Sequence, residues 1–304
     1  MSKDGKRPTK NKGAKLFSPS GFKVTCLDYS KRGDGHHGVF LIEDPSAHKY
    51  VVKCYSRKRS HLREVLDAIS NYLSGRSSSR PLGRFNTEKK VLQTWREHGF
   101  DVFKQPKDLE SIAINKPHLV FEYVKGQTLL SYFADPRISK ENKINKLKRF
   151  IPEWGRRHHL ALESGNRFLI QEHPSFKHVY INDGERFIFF DFETVFTTRH
   201  SLPSLIGREI AGYVRSLYKV IPSEEFNEFL KLLIKKYPHR EYLLFPYYYF
   251  YQHPNPFVRF SHSLFRLLPR NKRRHSKYLV APLISDCLHR THVDCQKWVP
   301  CQRS

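Results

Sequence analysis

Gln171-Glu172-His173-Pro174-Ser175-Phe176-Lys177-His178-Val179-Tyr180-Ile181 runs through Asn182-Asp183-Gly184 into Arg186–Phe190 and closes on Asp191-Phe192-Glu193. Asn-Asp-Gly between two short apolar runs predicts a hairpin, with strands over His178–Ile181 and Arg186–Phe190. Asp191 directly follows the apolar Phe187–Phe190 and so stands at the end of a buried strand. A carboxylate there is costly unless it meets a cation or a proton donor, which makes Asp191 a candidate metal ligand or catalytic acid. Two imidazoles precede it: His178 thirteen residues earlier, and His173 five before that.

Upstream of this stretch the pattern is β-rich. Residues 1–20 are basic, polar and nearly free of apolar side chains, and read as a disordered leader. β-like runs follow at Phe22–Tyr29, Gly38–Glu43, Tyr50–Tyr55 and His118–Val124. Between the last two lie a basic helical segment, Arg57–Leu73, a linker, Ser74–Gly83, and a helix, Thr87–His98, stopped by Gly99. From Ser139 the period changes. Ile144, Leu147, Ile151, Trp154 and His158 recur at three- and four-residue steps, predicting a helix to Gly165 with Pro152 inside it. Helices are also expected over Ile206–Val220 and Ser223–Lys236, and the aromatic stretch Tyr242–Phe260 as core of a helical region. The chain is therefore α+β: a β-rich region over 21–124, then a helical region over 125–304 with a basic aromatic tail.

Three further features carry chemistry. Gly33-Asp34-Gly35-His36-His37-Gly38 is a GxGxxG flanked by strands, unlike a dinucleotide-binding turn, which opens a helix; glycines also serve ordinary hairpin turns. Lys53 lies inside the run Val51-Val52-Lys53-Cys54-Tyr55, where a cation needs an anion unless the strand is an edge with Lys53 on its wet side. Glu88 and Glu64 are the helical carboxylates positioned to hold it. Glu88 is preferred because its helix runs into the Gly99 turn and then a strand.

In this order, the residues from about Phe22 to Leu217 resemble the protein-kinase-like superfamily, which implies a two-lobed fold with a nucleotide cleft between Lys53 and Asp191. The resemblance implies ATP and Mg2+ as cofactors. Gly33, Gly35 and Gly38 would cover the phosphates, Lys53 held by Glu88 would pair with them, and Glu122 and Val124 would form the hinge that meets the adenine. Asp191-Phe192-Glu193 looks like the Asp-Phe-Gly metal motif, with His178 as second metal ligand. His173 falls in the slot of the catalytic Asp, with Glu172 beside it as an alternative. Two positions depart from the pattern: Glu193 replaces the glycine, and Gln171-Glu172-His173 replaces His-x-Asp. Within the superfamily the closest resemblance is to the bacterial lipopolysaccharide-core kinases, which phosphorylate Kdo or heptose. It rests on a basic insert between lysine and glutamate, on the Glu88–Pro106 pattern, and on a His in the Asn slot. It implies an enzyme acting on an acidic glycolipid, in the cytoplasm or peripheral on the cytoplasmic face of the inner membrane.

Composition frames these expectations. The chain has 54 Lys and Arg against 29 Asp and Glu, a formal charge of +25 over 304 residues. Such a surface attracts polyanions. The excess is spread over residues 1–15, Arg137–Arg157 and Phe257–Ser304, which suits a broad anion-facing surface better than one basic arm. No run approaches the roughly 20 apolar residues of a membrane span. Five cysteines, an odd number, fit a reducing compartment better than a disulfide framework. Cys287, His289, His292, Cys295 and Cys301 lack paired CxxC spacing and are not taken as a zinc site. A nucleotide-binding pseudokinase is the alternative function, favoured by His173 and Glu193. Nucleic-acid binding rests on charge alone, with no recognition motif, and no nucleic acid is expected as a partner.

Overall fold

The computed structural model describes residues 22–29, 38–55, 61–73, 75–78, 80–106, 116–197, 200–267 and 277–290. The leader, Gly33, Gly35 and the tail from residue 291, with His292, Cys295 and Cys301, lie outside them. Two compact units divide the chain: one comprises Met1–Lys89 and Phe103–Lys125, the other Lys90–Val102 and Gly126–Ser304.

The first unit holds a four-stranded antiparallel sheet in the order β1 (Lys23–Tyr29), β2 (Gly38–Glu43), β3 (Lys49–Cys54), β4 (His118–Glu122). Alternation sets its register: Phe40, Ile42, Val52 and Cys54 point to one face and pack as a buried cluster with Phe22, Val24, Tyr50 and Val120. Burial pushes the Cys54 thiol up to about 11, so it behaves as a small apolar side chain. Helix α1 (His61–Leu73) follows, then α2 (Pro81–Glu97), the latter divided between the units at residue 89. Helix α2 starts six residues earlier than Thr87, so residues 81–83 at the end of the expected linker are helical and Glu88 is mid-helix. Pro81 supplies the reason: its fixed φ and missing N–H suit a first helical turn.

The second unit is mostly helical around a small sheet. Strands β5 (Gly126–Thr128), β6 (Val179–Asn182) and β7 (Phe187–Phe189) pair antiparallel in that order. Gly126 sits at φ +153, and a Cβ there would lie 2.0 Å from the Ile181 carbonyl oxygen. Only glycine admits that approach of β5 to β6. The expected hairpin forms, but the left-handed residue is Glu185 (φ +59) instead of Gly184. Asn182 explains this: its carbonyl accepts from Glu185 N–H and its side chain from Arg186 N–H, fixing a longer turn.

After α3 (Leu129–Ala134), helix α4 (Lys140–Ser164) has Ser139 as N-cap and left-handed Gly165 as C-cap. It continues through Pro152, on its exposed side. Its apolar stripe buries Leu147, Phe150, Ile151, Trp154 and His158 against β7 and the helices α5 (Leu202–Tyr218) and α6 (Ser223–Lys236). Phe150 is fully buried, with Trp154, Phe176, Phe187, Phe189 and Tyr213 within ring-packing distance. The aromatic stretch divides. Through α7 (Phe245–Tyr251) it buries Tyr249 and Phe250, whereas α8 (Pro256–Arg266) exposes Phe257 and Phe260. The last described element is α9 (Lys277–Arg290). Among the described residues no helix is long and apolar enough to cross a membrane.

Candidate functional site

In the first unit Lys53 sits on β3, between β2 and β4, with Val39 and Leu119 as neighbours in register. That position excludes the wet edge strand. With its side chain only 12 % exposed, the ammonium needs a counterion, and Glu88 supplies both oxygens at 2.8 and 3.1 Å. The Glu88 carboxylate is buried and also accepts a short hydrogen bond from the buried Tyr55 hydroxyl. A carboxylate fixed on both sides holds Lys53 in one place, which a phosphate ligand requires. Gly38 opens β2 and pairs with Tyr29 and Cys54. At the end of β4, the N–H groups of Glu122 and Tyr123 are engaged by the carbonyls of Lys104 and Lys49. Val124 follows, half-buried, just before the chain leaves the unit after Lys125.

In the second unit the stretch 171–193 brings four titratable side chains together. Glu172 is buried, and its carboxylate accepts from Arg208 at 3.0 Å and Thr194 at 3.2 Å. It also lies 2.7 Å from Nδ1 of His173, whose side chain is 54 % exposed. A carboxylate accepts and does not donate, so the contact places the proton on Nδ1 and leaves Nε2 as the basic atom. Glu172 therefore holds His173, and its buried oxygens are already engaged by three donors.

His178 makes the complementary arrangement. Its Nδ1 donates to the His173 carbonyl at 2.7 Å, and its Nε2 lies 3.2 Å from Oδ2 of Asp191. Burial pushes the His178 pKa down, against the opposing pull of Asp191. In the neutral imidazole the Nε2 lone pair then faces a carboxylate oxygen. Two electron pairs converging at that distance favour a shared cation. Asp191 adopts φ +69, a left-handed backbone uncommon outside glycine and best tolerated by Asp and Asn.

Behind this loop lies a charge network that sequence patterning missed. Glu209 of α5 and Arg157 of α4 are both fully buried and ion-paired. Glu209 also accepts from Gln171 N–H at 2.7 Å and from the Trp154 indole at 3.2 Å, and lies 3.2 Å from His158. Burial alone would raise the Glu209 carboxyl; the Arg157 and His158 charges overcome it and bring it to about 2. Gln171 reaches on from there, its amide to the Phe190 carbonyl at 3.5 Å and its oxygen to the Tyr213 hydroxyl. The only available signal was a carboxylate on the apolar face of α5 matched by an arginine on the apolar stripe of α4.

The same loop opens on a cavity of about 420 Å³, bordered by His173, His178 and Asp191 together with Lys177, Arg215 and Lys219. Among the described residues no group of three or more His, Cys, Asp or Glu gathers to hold a metal. An ion at His178 and Asp191 would take its other ligands from a nucleotide and water, as Mg2+ commonly does. Cys287 and His289 lie on α9.

The basic stretch Arg137–Arg157 differs from the broad anion-facing surface expected of it. Lys146 pairs with Glu185 at 3.0 Å, as does Arg149. Lys140 pairs with Glu228, Arg137 with Asp135, and Arg157 with Glu209. Lys143 and Lys146 are buried. Amphipathic side chains cover the core with their stems here, and local carboxylates engage their heads.

Compared with known proteins, the sequence matches no family model and no curated protein.

Proposed function

We propose that the chain is a phosphotransferase of the protein-kinase-like type that transfers a phosphoryl group from ATP to a hydroxyl of an acidic glycolipid. Lipopolysaccharide core, with Kdo or heptose as acceptor, is the substrate class its sequence resembles most. The observation that carries the reading is the convergence of His173, His178 and Asp191 on one cavity, with His173 held by a buried carboxylate. The Lys53–Glu88 pair, made between β3 and α2 in the first unit, supports it.

In this reading Lys53 binds nucleotide phosphates as a fixed cation, and Glu88 and Tyr55 keep it in place. His178 and Asp191 would hold the divalent ion, which, when bound, neutralises charge on the phosphates and aligns them. The donor set fits: one carboxylate oxygen and one imidazole nitrogen whose tautomer is fixed by the His173 carbonyl. The imidazole favours Mn2+ more than an all-oxygen site would. His173 accepts the acceptor's hydroxyl proton at Nε2, while Glu172 orients the ring and steadies the imidazolium that results. Positioning contributes most of the acceleration in phosphoryl transfer, so a histidine base in place of aspartate is chemically sufficient.

Helix α8 supports a location at an anionic membrane. His262 is buried against Tyr249, Phe250 and Tyr278, and Arg266 lies over the Tyr251 ring, which fixes one side of the helix. On the opposite arc Phe257, Phe260, Leu264 and Leu267 are all exposed. Arg259 is exposed on the same helix, and the sequence continues into Arg270-Asn271-Lys272-Arg273-Arg274. Apolar anchors beside clustered cations complement an acidic bilayer face.

The test is nucleotide binding with and without Mg2+ or Mn2+, followed by mass analysis of lipopolysaccharide from cells lacking the protein. Lys53→Ala and Asp191→Asn should each lose metal-nucleotide affinity; Asp191→Asn should keep the wild-type melting temperature, whereas Lys53→Ala, which leaves the buried Glu88 without its cation, should lower it. Wild-type affinity in Asp191→Asn defeats the metal assignment. Binding without transfer to any acceptor makes the protein a pseudokinase.

A further inference from the structure

We propose that Lys177, Arg215 and Lys219 form an anion subsite that recognises a phosphate monoester already carried by the acceptor. The proposal rests on the phosphotransferase reading for the word acceptor; the subsite itself does not.

The argument begins with α5. Arg208, Gly212, Arg215, Ser216 and Lys219 recur at three- and four-residue steps and so share one face of the helix, and all five border the cavity. The face is not uniform in its use. Arg208, at its start, is engaged by Glu172. Gly212, in the middle, is packed against Pro174, where a Cβ would come within 2.4 Å of the proline ring. A glycine at that point lets the loop carrying His173 lie directly on the helix, so the cations beyond it face the same space as the base. Arg215 and Lys219 follow on the cavity side. Lys177, from the 3-10 turn Phe176–His178, faces them.

Three cations bordering one cavity repel each other. Burial, and then the Arg215 and Lys177 charges, hold the Lys219 ammonium below its usual value, which agrees with that crowding. Here they stand at the wall of a concavity, where low-dielectric sides focus their field on whatever enters. A dianionic phosphate answers that field, and Arg215 offers the planar donor pair that phosphate oxygens accept. The subsite lies in the same cavity as His173, so a phosphate bound there tethers a nearby hydroxyl within reach of the base. It would select acceptors that are already phosphorylated over their neutral counterparts.

The competing source of a phosphate is the nucleotide, and the experiment separates the two. Inorganic phosphate and glycerol phosphate are titrated calorimetrically into the full chain at low ionic strength, with glycerol as the neutral control, alone and with a saturating nonhydrolysable ATP analogue and Mg2+. Phosphate and glycerol phosphate should bind in both conditions, and glycerol in neither. Lys177→Gln/Lys219→Gln, at two exposed positions, should weaken binding by about tenfold or more. Lys235→Gln/Lys236→Gln, which removes the same charge from exposed positions on α6, should leave it unchanged. Loss of phosphate binding when the analogue is present assigns these cations to the nucleotide and overturns the proposal. Equal weakening by the two double variants, or no binding to the wild type, also overturns it. Phosphate binding without any nucleotide affinity leaves the subsite standing and removes the phosphotransferase reading instead.

Discussion

Glu209 accepts the backbone N–H of Gln171 at 2.7 Å while its carboxylate is ion-paired to Arg157, all of it without solvent contact. The loop bearing Glu172 and His173 is thus tied through its first residue to two helices at once. Removing one partner of such a pair leaves an uncompensated buried charge. Glu209→Ala should lower stability to urea by about 3–5 kcal/mol. Arg157→Met/Glu209→Leu, which removes both charges, should recover much of the loss but not the position of the loop that begins at Gln171. Equal destabilisation by the single and the double change would show that the pair contributes only volume.

His173 and Glu172 separate by the kind of loss they cause. With His173 as the proposed base, His173→Gln should lower the transfer rate by about 10²–10⁴ with little change in nucleotide affinity. Glu172→Gln keeps the shape but no longer holds the charged ring, so its rate effect should be smaller. It should also weaken the contact with Arg208 and lower the melting temperature. A rate in His173→Gln equal to the wild type would remove the histidine from the chemistry.

Glu153, on α4, provides a pH signature. Burial pushes its carboxyl up to about 7; Arg156 opposes the shift and Asp101 adds to it. The folded state thus binds this proton more tightly than the unfolded chain. Its contribution is present below the ordinary carboxylate range and is lost as pH rises toward 7. Glu153→Gln should therefore gain stability relative to the wild type between pH 5 and 8, by at most about 3 kcal/mol. A constant difference between the two proteins across that range would refute the shift.

Helix α8 predicts a specific vesicle behaviour. Co-sedimentation with vesicles containing acidic lipid should fall with salt and be absent with neutral lipid, each nearby cation contributing about 1 kcal/mol. Phe257→Ser/Phe260→Ser should reduce binding without altering nucleotide affinity or fold, because both rings are exposed. Equal pelleting with neutral and acidic vesicles would remove the membrane from the account.

Much of this was legible in the sequence, and the limits have physical causes. Strand alternation gave the four-stranded sheet, and the 3.6-residue period gave α4 with both caps, because each periodicity is written in the side chains of its own element. The start of α2 was missed because a polar, serine-rich stretch hides a proline that opens a helix. The Glu172–Arg208 contact and the cavity cations were beyond reach for a different reason. Glu172 and Arg208 are thirty-six residues apart, and nothing in either local pattern names the other. The charge of Arg137–Arg157 misled for the same reason: a count of cations does not say which of them already face a carboxylate.

That last point reaches beyond the helix. Glu88, Glu172 and Glu209 are buried, and Glu185 is shared by Lys146 and Arg149. Each of these acids engages a cation, so burial withdraws charge in pairs and leaves the excess of +25 to the groups outside. The protein should therefore bind a cation exchanger as strongly as its composition implies, and should carry host RNA and DNA through purification. Such co-purification is a by-product of that excess. Nucleotide titrations are best made on material stripped in high salt, since fragments of those polymers compete for the same cations.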